Sequence, residues 1–156
     1  MSFPDYLIDH SGFDWSKLLG RWRWRLPATF KVWLVNRFGD LFLILDDGAV
    51  YRLDIGNGTL AKVAVSRDDF CKKIDDVDTA NEWLMIPLVD RLVAAGKTLE
   101  PGQCYCYRLL PILGGGYGID DFAIKDLAYL YAIFGPIHEL VKDLPDGGHI
   151  EFKITD

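Results

Sequence analysis

Lys31-Val-Trp-Leu-Val-Asn-Arg-Phe-Gly-Asp-Leu-Phe-Leu-Ile-Leu-Asp-Asp-Gly-Ala-Val-Tyr-Arg-Leu-Asp54 decides the fold. Three apolar runs of strand length are separated by Phe38-Gly-Asp40 and by Asp46-Asp-Gly48. A glycine after an aspartate supplies the positive φ that a tight hairpin demands, and loops this short force neighbouring strands to run antiparallel. Gly56-Asn-Gly58 turns the chain again, and Thr59 to Val65 closes a β-meander.

Beyond residue 65 the period changes. Ser66-Arg-Asp-Asp69 has the form of a capping box, with Ser66 as N-cap, and predicts a helix from Arg67 to about Lys73 with Phe70 and Ile74 on one face. Asp75-Asp-Val-Asp78 reads as an acidic connector. Ala80 to Ala95 reads as a second helix bending at Pro87, burying Trp83, Ile86, Val89, Val93 and Ala94 and ending at Gly96. Gln103 to Leu109 is an aromatic strand, and Phe122-Ala-Ile124 a short strand. From Asp126 the residues Leu127, Leu130, Phe134, Ile137, Leu140 and Val141 form one helical stripe, with a kink expected at Gly135-Pro136. His149 to Ile154 alternates as a final strand. Toward the start, Asp14 to Gly20 reads as a short helix, and Arg21-Trp-Arg-Trp-Arg25 as a strand with the indoles on one face. The fold class is α+β: a mostly antiparallel sheet, the N-terminal β-meander, with helices concentrated in the C-terminal half.

The chain has 156 residues, half of them apolar, enough for one core without metals or disulfides. Its net charge of −6 is unevenly placed. Residues 1–40 carry six Lys/Arg against four Asp/Glu, residues 41–100 seven against eleven, and residues 101–156 four against eight. An acidic body opposes binding to a phosphate backbone and suits a basic protein partner such as a nuclease. Arg21 to Arg25 could form an aromatic, basic patch for nucleic acid, but two core tryptophans with solvated arginines is the stronger reading. Cys71, Cys104 and Cys106 are odd in number and no secretory signal precedes them, so free thiols in a reducing cytoplasm are expected. No apolar run is long enough to span a membrane.

Catalytic patterns are missing. His10, His138 and His149 show no metal-binding spacing, and Cys104 and Cys106 lack a second cysteine pair. None of the four serines (Ser2, Ser11, Ser16 and Ser66) sits in a nucleophile elbow. Gly114-Gly-Gly-Tyr-Gly118 lacks the lysine and hydroxyl that end a phosphate loop. No catalytic, metal or cofactor residue is assigned, and the expected role is binding rather than catalysis. The candidate partner-binding residues are Gly115, Gly116, Tyr117, Asp120 and Asp121 in the glycine loop, and Asp75, Asp76 and Asp78 in the acidic connector. Tyr117, Tyr107 and Tyr51 are candidate aromatic anchors.

Several segments together resemble a known family. They include Trp22-Arg-Trp24, Pro27, Val32 to Phe42, Asp47-Gly48, Leu53-Asp54, Trp83-Leu-Met85, Pro101-Gly-Gln-Cys-Tyr105, Pro111-Ile-Leu-Gly-Gly115, Tyr117 and Lys142-Asp-Leu-Pro-Asp-Gly147. From about Trp15 to Ile154 the chain resembles bacterial type VI secretion DNase-immunity proteins, in which a GAD-like N-terminal part precedes a C-terminal immunity domain. The resemblance implies a GAD-like lobe over residues 1–65 and an α+β immunity lobe over 66–156, joined as one unit. It implies a cytoplasmic antitoxin that binds the nuclease domain of a cognate toxin and blocks its active site or DNA cleft, with no cofactor and no direct contact to nucleic acid or membrane. A ligand-binding or regulatory module is the alternative. The chain departs from the family pattern at Gly116, where an acidic residue is common, at Leu110, where a proline is common, and near Asp121, where an asparagine is common.

Overall fold

The computed structural model describes residues 3–144 and Ile154. The meander is present as four antiparallel strands in sequence order: β1 (Lys31–Val35), β2 (Leu41–Ile44), β3 (Val50–Asp54) and β4 (Thr59–Ala64). Leu41 faces Leu53 and Ile44 faces Val50 across the central pair. Gly39, Gly48 and Gly58 all take positive φ at the turns, as the hairpin reading requires. The outer edge of β1 is covered by the N-terminal segment, where the Ile8 amide donates to the Val35 carbonyl at 2.8 Å.

The helices follow: α1 (Trp15–Leu18) before the sheet, then α2 (Arg67–Ile74), α3 (Val77–Leu84), α4 (Ile86–Ala94) and α5 (Leu127–Val141) after it. Strands β5 (Gln103–Tyr107) and β6 (Phe122–Asp126) pair antiparallel as a separate ribbon. The architecture is α+β, as the sequence predicts. Ser66 caps α2 by accepting from the Asp69 amide at 3.0 Å, a contact worth about 1 kcal/mol. Among the described residues, no helix is long and apolar enough to cross a membrane.

Two apolar clusters hold the elements together. The larger draws Trp22, Phe38, Leu53, Tyr105, Tyr107, Leu130 and Phe134 from both sides of residue 65. The smaller packs Phe42, Val50, Phe70, Trp83 and Leu84 between the other sheet face and α2–α3. In it, Phe70 stacks on Trp83 at 4.7 Å and meets Phe42 edge-on. A buried aromatic ring contributes about 1.5–3 kcal/mol, so this trio anchors α2 and α3 to the sheet.

Four expectations need correction. Arg21 to Arg25 is not a strand: Gly20–Trp22 is a 3-10 turn, and the Arg25 and Leu26 amides both donate back to the Trp22 carbonyl. Those bonds close locally, because Trp22 is drawn inward to donate its indole N–H to the Tyr131 carbonyl at 3.0 Å. The short helix before it ends at Leu18, and Gly20 opens the turn instead of terminating the helix.

The predicted helix over 80–95 is two helices. Met85 takes a left-handed conformation, φ 52°, between α3 and α4, with Pro87 in the first turn of α4. Proline cannot donate to the carbonyl four residues back, that of Trp83, and its ring crowds that carbonyl, so one continuous helix through this point is disfavoured while the first turn of a new helix accepts the proline. Val93 and Ala94 are exposed, so only the first part of the expected stripe is buried.

The buried stripe of α5 is rotated from the expected one. Leu127, Leu130, Tyr131, Phe134, Gly135 and His138 face inward, while Leu140 is 60% exposed. Helix α5 runs through Gly135 and Pro136, and Gly135 lies against the Arg21 carbonyl, where a Cβ would have no room. The strand expected from His149 lies outside the described residues, except for buried Ile154.

Candidate functional site

The glycine loop joins β5 to β6, and its shape follows from what its backbone must approach. The Arg108 amide donates to the Asp121 carbonyl and the Arg108 Nε to the Asp120 carbonyl, closing the base of the loop. Pro111–Leu113 forms a 3-10 turn, ended by Gly114 at φ 101°. Gly115 donates to the Leu110 carbonyl at 3.0 Å, and a Cβ there would fall onto the Leu109 carbonyl oxygen. Only glycine permits that approach.

The far side of the loop wraps one carboxylate. Asp121 Oδ2 accepts from the Gly118 amide at 2.8 Å, and a Cβ on Gly116 would stand 2.7 Å from the same oxygen. Asp121 is therefore committed to the loop's interior. Tyr117 and Asp120 form its outward face. Tyr117 is 48% exposed and meets the buried Tyr107 ring edge-on at 6.3 Å. Asp120 is exposed and lies 3.8 Å from the Lys97 ammonium, which also donates to the Ile119 carbonyl at 2.7 Å. Tyr107 is only 2% exposed, which removes it as a surface anchor, while Tyr51 is half-buried.

The acidic connector is a tight corner between α2 and α3. Asp76 caps α3, accepting from both the Thr79 amide and its hydroxyl at 3.0 Å. Asp75 ends α2, Asp78 sits in the first turn of α3, and all three are exposed. The corner is seated on the smaller core cluster through Ile74 and Ala80, whereas the glycine loop is seated on the larger one through Leu113 and Ile119. The eight candidate residues thus form two separate surface groups.

The fold also holds a buried polar network that sequence reasoning missed. Asp40, fully buried, accepts from Arg52 Nη2 at 2.8 Å, Asn36 Nδ2 at 3.1 Å and the Ile55 amide at 2.9 Å. Burial pushes the Asp40 carboxyl up from its ordinary value, and the Arg52 guanidinium pulls against it. Asn36 Oδ1 accepts from the Phe38 and Asp40 amides, which shapes the β1–β2 turn. Asn36 Nδ2 also donates to the Trp83 carbonyl at 3.0 Å. Trp83 lies four residues before Pro87, so Asn36 supplies the hydrogen bond that the proline cannot. The network ties the sheet to the α3–α4 break. The Asn-x-x-x-Asp spacing across a Phe-Gly turn was the available signal.

Among the described residues, the thiols and imidazoles do not assemble into a catalytic group. Cys104 and Cys106 are fully buried, and burial pushes the Cys106 thiol up to about 12 and the Cys104 thiol well above its usual range. Neither is an activated nucleophile, since the thiolate is the reactive form. His138 is also buried. Its Nε2 lies 2.6 Å from the Ile55 carbonyl, so that nitrogen carries the proton, and its ring packs on Trp22 at 5.6 Å. It clasps α5 to the β3–β4 turn.

The segment containing both acidic groups has a known relative. Residues 64–138 match the family described as T6SS immunity protein Tdi1, C-terminal. The match supports a type VI secretion immunity protein family for this chain, the kind of family that the motifs around Pro101 to Tyr117 resemble. The family indicates a T6SS immunity protein with a toxin protein as partner, a role that suggests a non-enzymatic inhibitor. No curated protein and no solved structure matches the chain. All eight candidate contact residues fall inside the matched segment.

Proposed function

We propose that this chain is a cytoplasmic immunity protein that neutralises a secreted nuclease toxin, a type VI DNase effector, by covering its active site or DNA-binding cleft. The observation that carries the reading is the immunity-family match over residues 64–138. Charge supports the choice of target. Residues 41–156 hold eleven Lys/Arg against nineteen Asp/Glu, and a DNase presents a cationic cleft. Carboxylates at Asp75, Asp76, Asp78 and Asp120 would steer the two proteins together and take positions otherwise filled by phosphates. Tyr117, held against Tyr107, would supply the aromatic contact that slows dissociation.

The test is co-expression with each candidate type VI nuclease toxin encoded in the same genome, followed by a DNA-degradation assay and size exclusion. The expected result is intact DNA and a co-eluting complex. Replacing Asp75, Asp76 and Asp78 by Asn retains a capping side chain at residue 76 and should slow association at low salt. Tyr117→Ala should act mainly on dissociation. Degraded DNA together with no complex would refute the proposal.

A further inference from the structure

The turn after α1 gathers the cations that the acidic body lacks. Lys17, Arg21 and Arg23 are all exposed there. Among the described residues no carboxylate lies within ion-pairing distance of any of the three. The nearby acids have local tasks: Asp14 caps α1 through the Lys17 amide, and Asp143 holds Lys142 at 3.0 Å.

The tryptophans of this turn are not free platforms. Trp24 stacks on buried Trp22 at 6.0 Å, and its ring also carries the Arg25 guanidinium at 4.7 Å and the Lys142 ammonium at 5.9 Å. Trp24 is therefore a strut that concentrates positive charge, with little face left to stack a nucleobase. That separates this surface from a single-strand-binding site.

On either side of the turn lies an apolar groove with these cations at its rim. One, of about 460 Å³, is walled by Trp15, Leu19, Leu26 and Phe30 and bordered by Arg23. The other, of about 630 Å³, lies between α1 and α5 and is lined by Phe13, Leu18, Ala128 and Ala132 together with Lys17, Arg21 and the α1 cap Asp14. We propose that the Lys17–Arg25 turn is a docking surface for an acidic protein segment in which carboxylates alternate with large apolar side chains. The carboxylates would meet Lys17, Arg21 and Arg23, and the apolar side chains would seat in the two grooves. Its cations, Lys17, Arg21 and Arg23, lie outside residues 64–138, while Ala128 and Ala132 of the second groove lie inside them, and the surface carries the opposite charge to the groups proposed to face a nuclease. It stands whether or not that reading does.

The experiment is fluorescence anisotropy on the full chain at low salt, using a fluorescein-labelled peptide of alternating glutamate and leucine and a single-stranded oligothymidylate of equal charge. The peptide should bind more tightly than the oligonucleotide, and added salt should weaken it. Arg21→Glu with Arg23→Glu reverses two exposed charges and should weaken peptide binding about tenfold with an unchanged circular dichroism spectrum. Ala132→Trp, at an exposed position, fills the α1–α5 groove and should weaken the peptide while leaving the oligonucleotide unchanged. No peptide binding, peptide binding unchanged in both variants, or tighter binding of the oligonucleotide would overturn the proposal.

Discussion

Replacing Asp40 by Ala should be among the most damaging single changes to this fold. The carboxylate is fully buried and accepts from Arg52, Asn36 and the Ile55 amide. Its loss strands the Arg52 guanidinium, whose side chain is only 13% exposed and whose Nε already has no hydrogen-bond partner among the described residues. Breaking one side of a buried pair costs about 3–5 kcal/mol, because the remaining charge stays desolvated. The orphaned Ile55 amide alone would cost about 1–3 kcal/mol, and the two losses overlap rather than add. A domain of this kind has about 5–15 kcal/mol in all, so the variant should stand close to unfolding. With a urea dependence of about 2 kcal/mol per molar, its midpoint should fall by about 2 M.

The assay is urea unfolding followed by tryptophan fluorescence, since Trp22 reports the larger core cluster and Trp83 the smaller. Both clusters border the network, so a single transition should shift as a whole. Asp40→Leu with Arg52→Met removes the stranded charge and should recover most of the loss. A midpoint lowered by less than about 0.5 M in Asp40→Ala, or a double variant as unstable as the single one, would refute the argument that the pair, and not mere packing, holds this junction.

His138 makes the fold sensitive to mild acid. Burial pushes its imidazole below the ordinary 6.5, with Arg25 acting in the same direction and Asp54 and the Ile55 carbonyl opposing. A lowered histidine value means the unfolded chain takes up the proton first, so its stabilisation is present above pH 6.5 and is lost as pH falls toward the folded value. The melting temperature should drop between pH 7 and 5 in the native chain and change less in His138→Gln, as checked by thermal unfolding across buffers. The three cysteines should separate in a thiol-reagent assay: exposed Cys71 should react at once, and Cys104 and Cys106 only after denaturation, giving one fast equivalent in the folded protein.

The meander was legible because its signals are local. Turn residues at Gly39, Gly48 and Gly58 and apolar runs of strand length specify neighbouring strands without reference to the rest of the chain. The cap at Ser66 was legible for the same reason. What sequence reading missed depends on distant partners. The α3–α4 break is stabilised by Asn36, whose side chain reaches the Trp83 carbonyl from a strand turn 47 residues away. The alternation of Arg21 to Arg25 is too short to specify a strand, and Trp22 is positioned by Tyr131, 109 residues on. The α5 stripe rotated because a histidine, scored as polar, fills a core position once the Ile55 carbonyl faces it. Of the candidate surface, the exposure of Tyr117 and Asp120 was legible; the inward role of Asp121 was not, since nothing in a run of glycines says which side chain they enclose.

That inward role limits what position 116 can hold. The resemblance puts an acidic residue at position 116 and an asparagine near 121, whereas this chain has Gly116 and Asp121. A Cβ at 116 would stand 2.7 Å from Asp121 Oδ2, so an acid there would press a second carboxylate against the first. An amide at 121 would relieve that repulsion by donating to the acid at 116. With glycine at 116 the conflict disappears, and Asp121 can instead accept from the Gly118 amide. The loop is then pinned at Gly115, Gly118 and Lys97, and Tyr117 and Asp120 project from a frame that needs little ordering on contact.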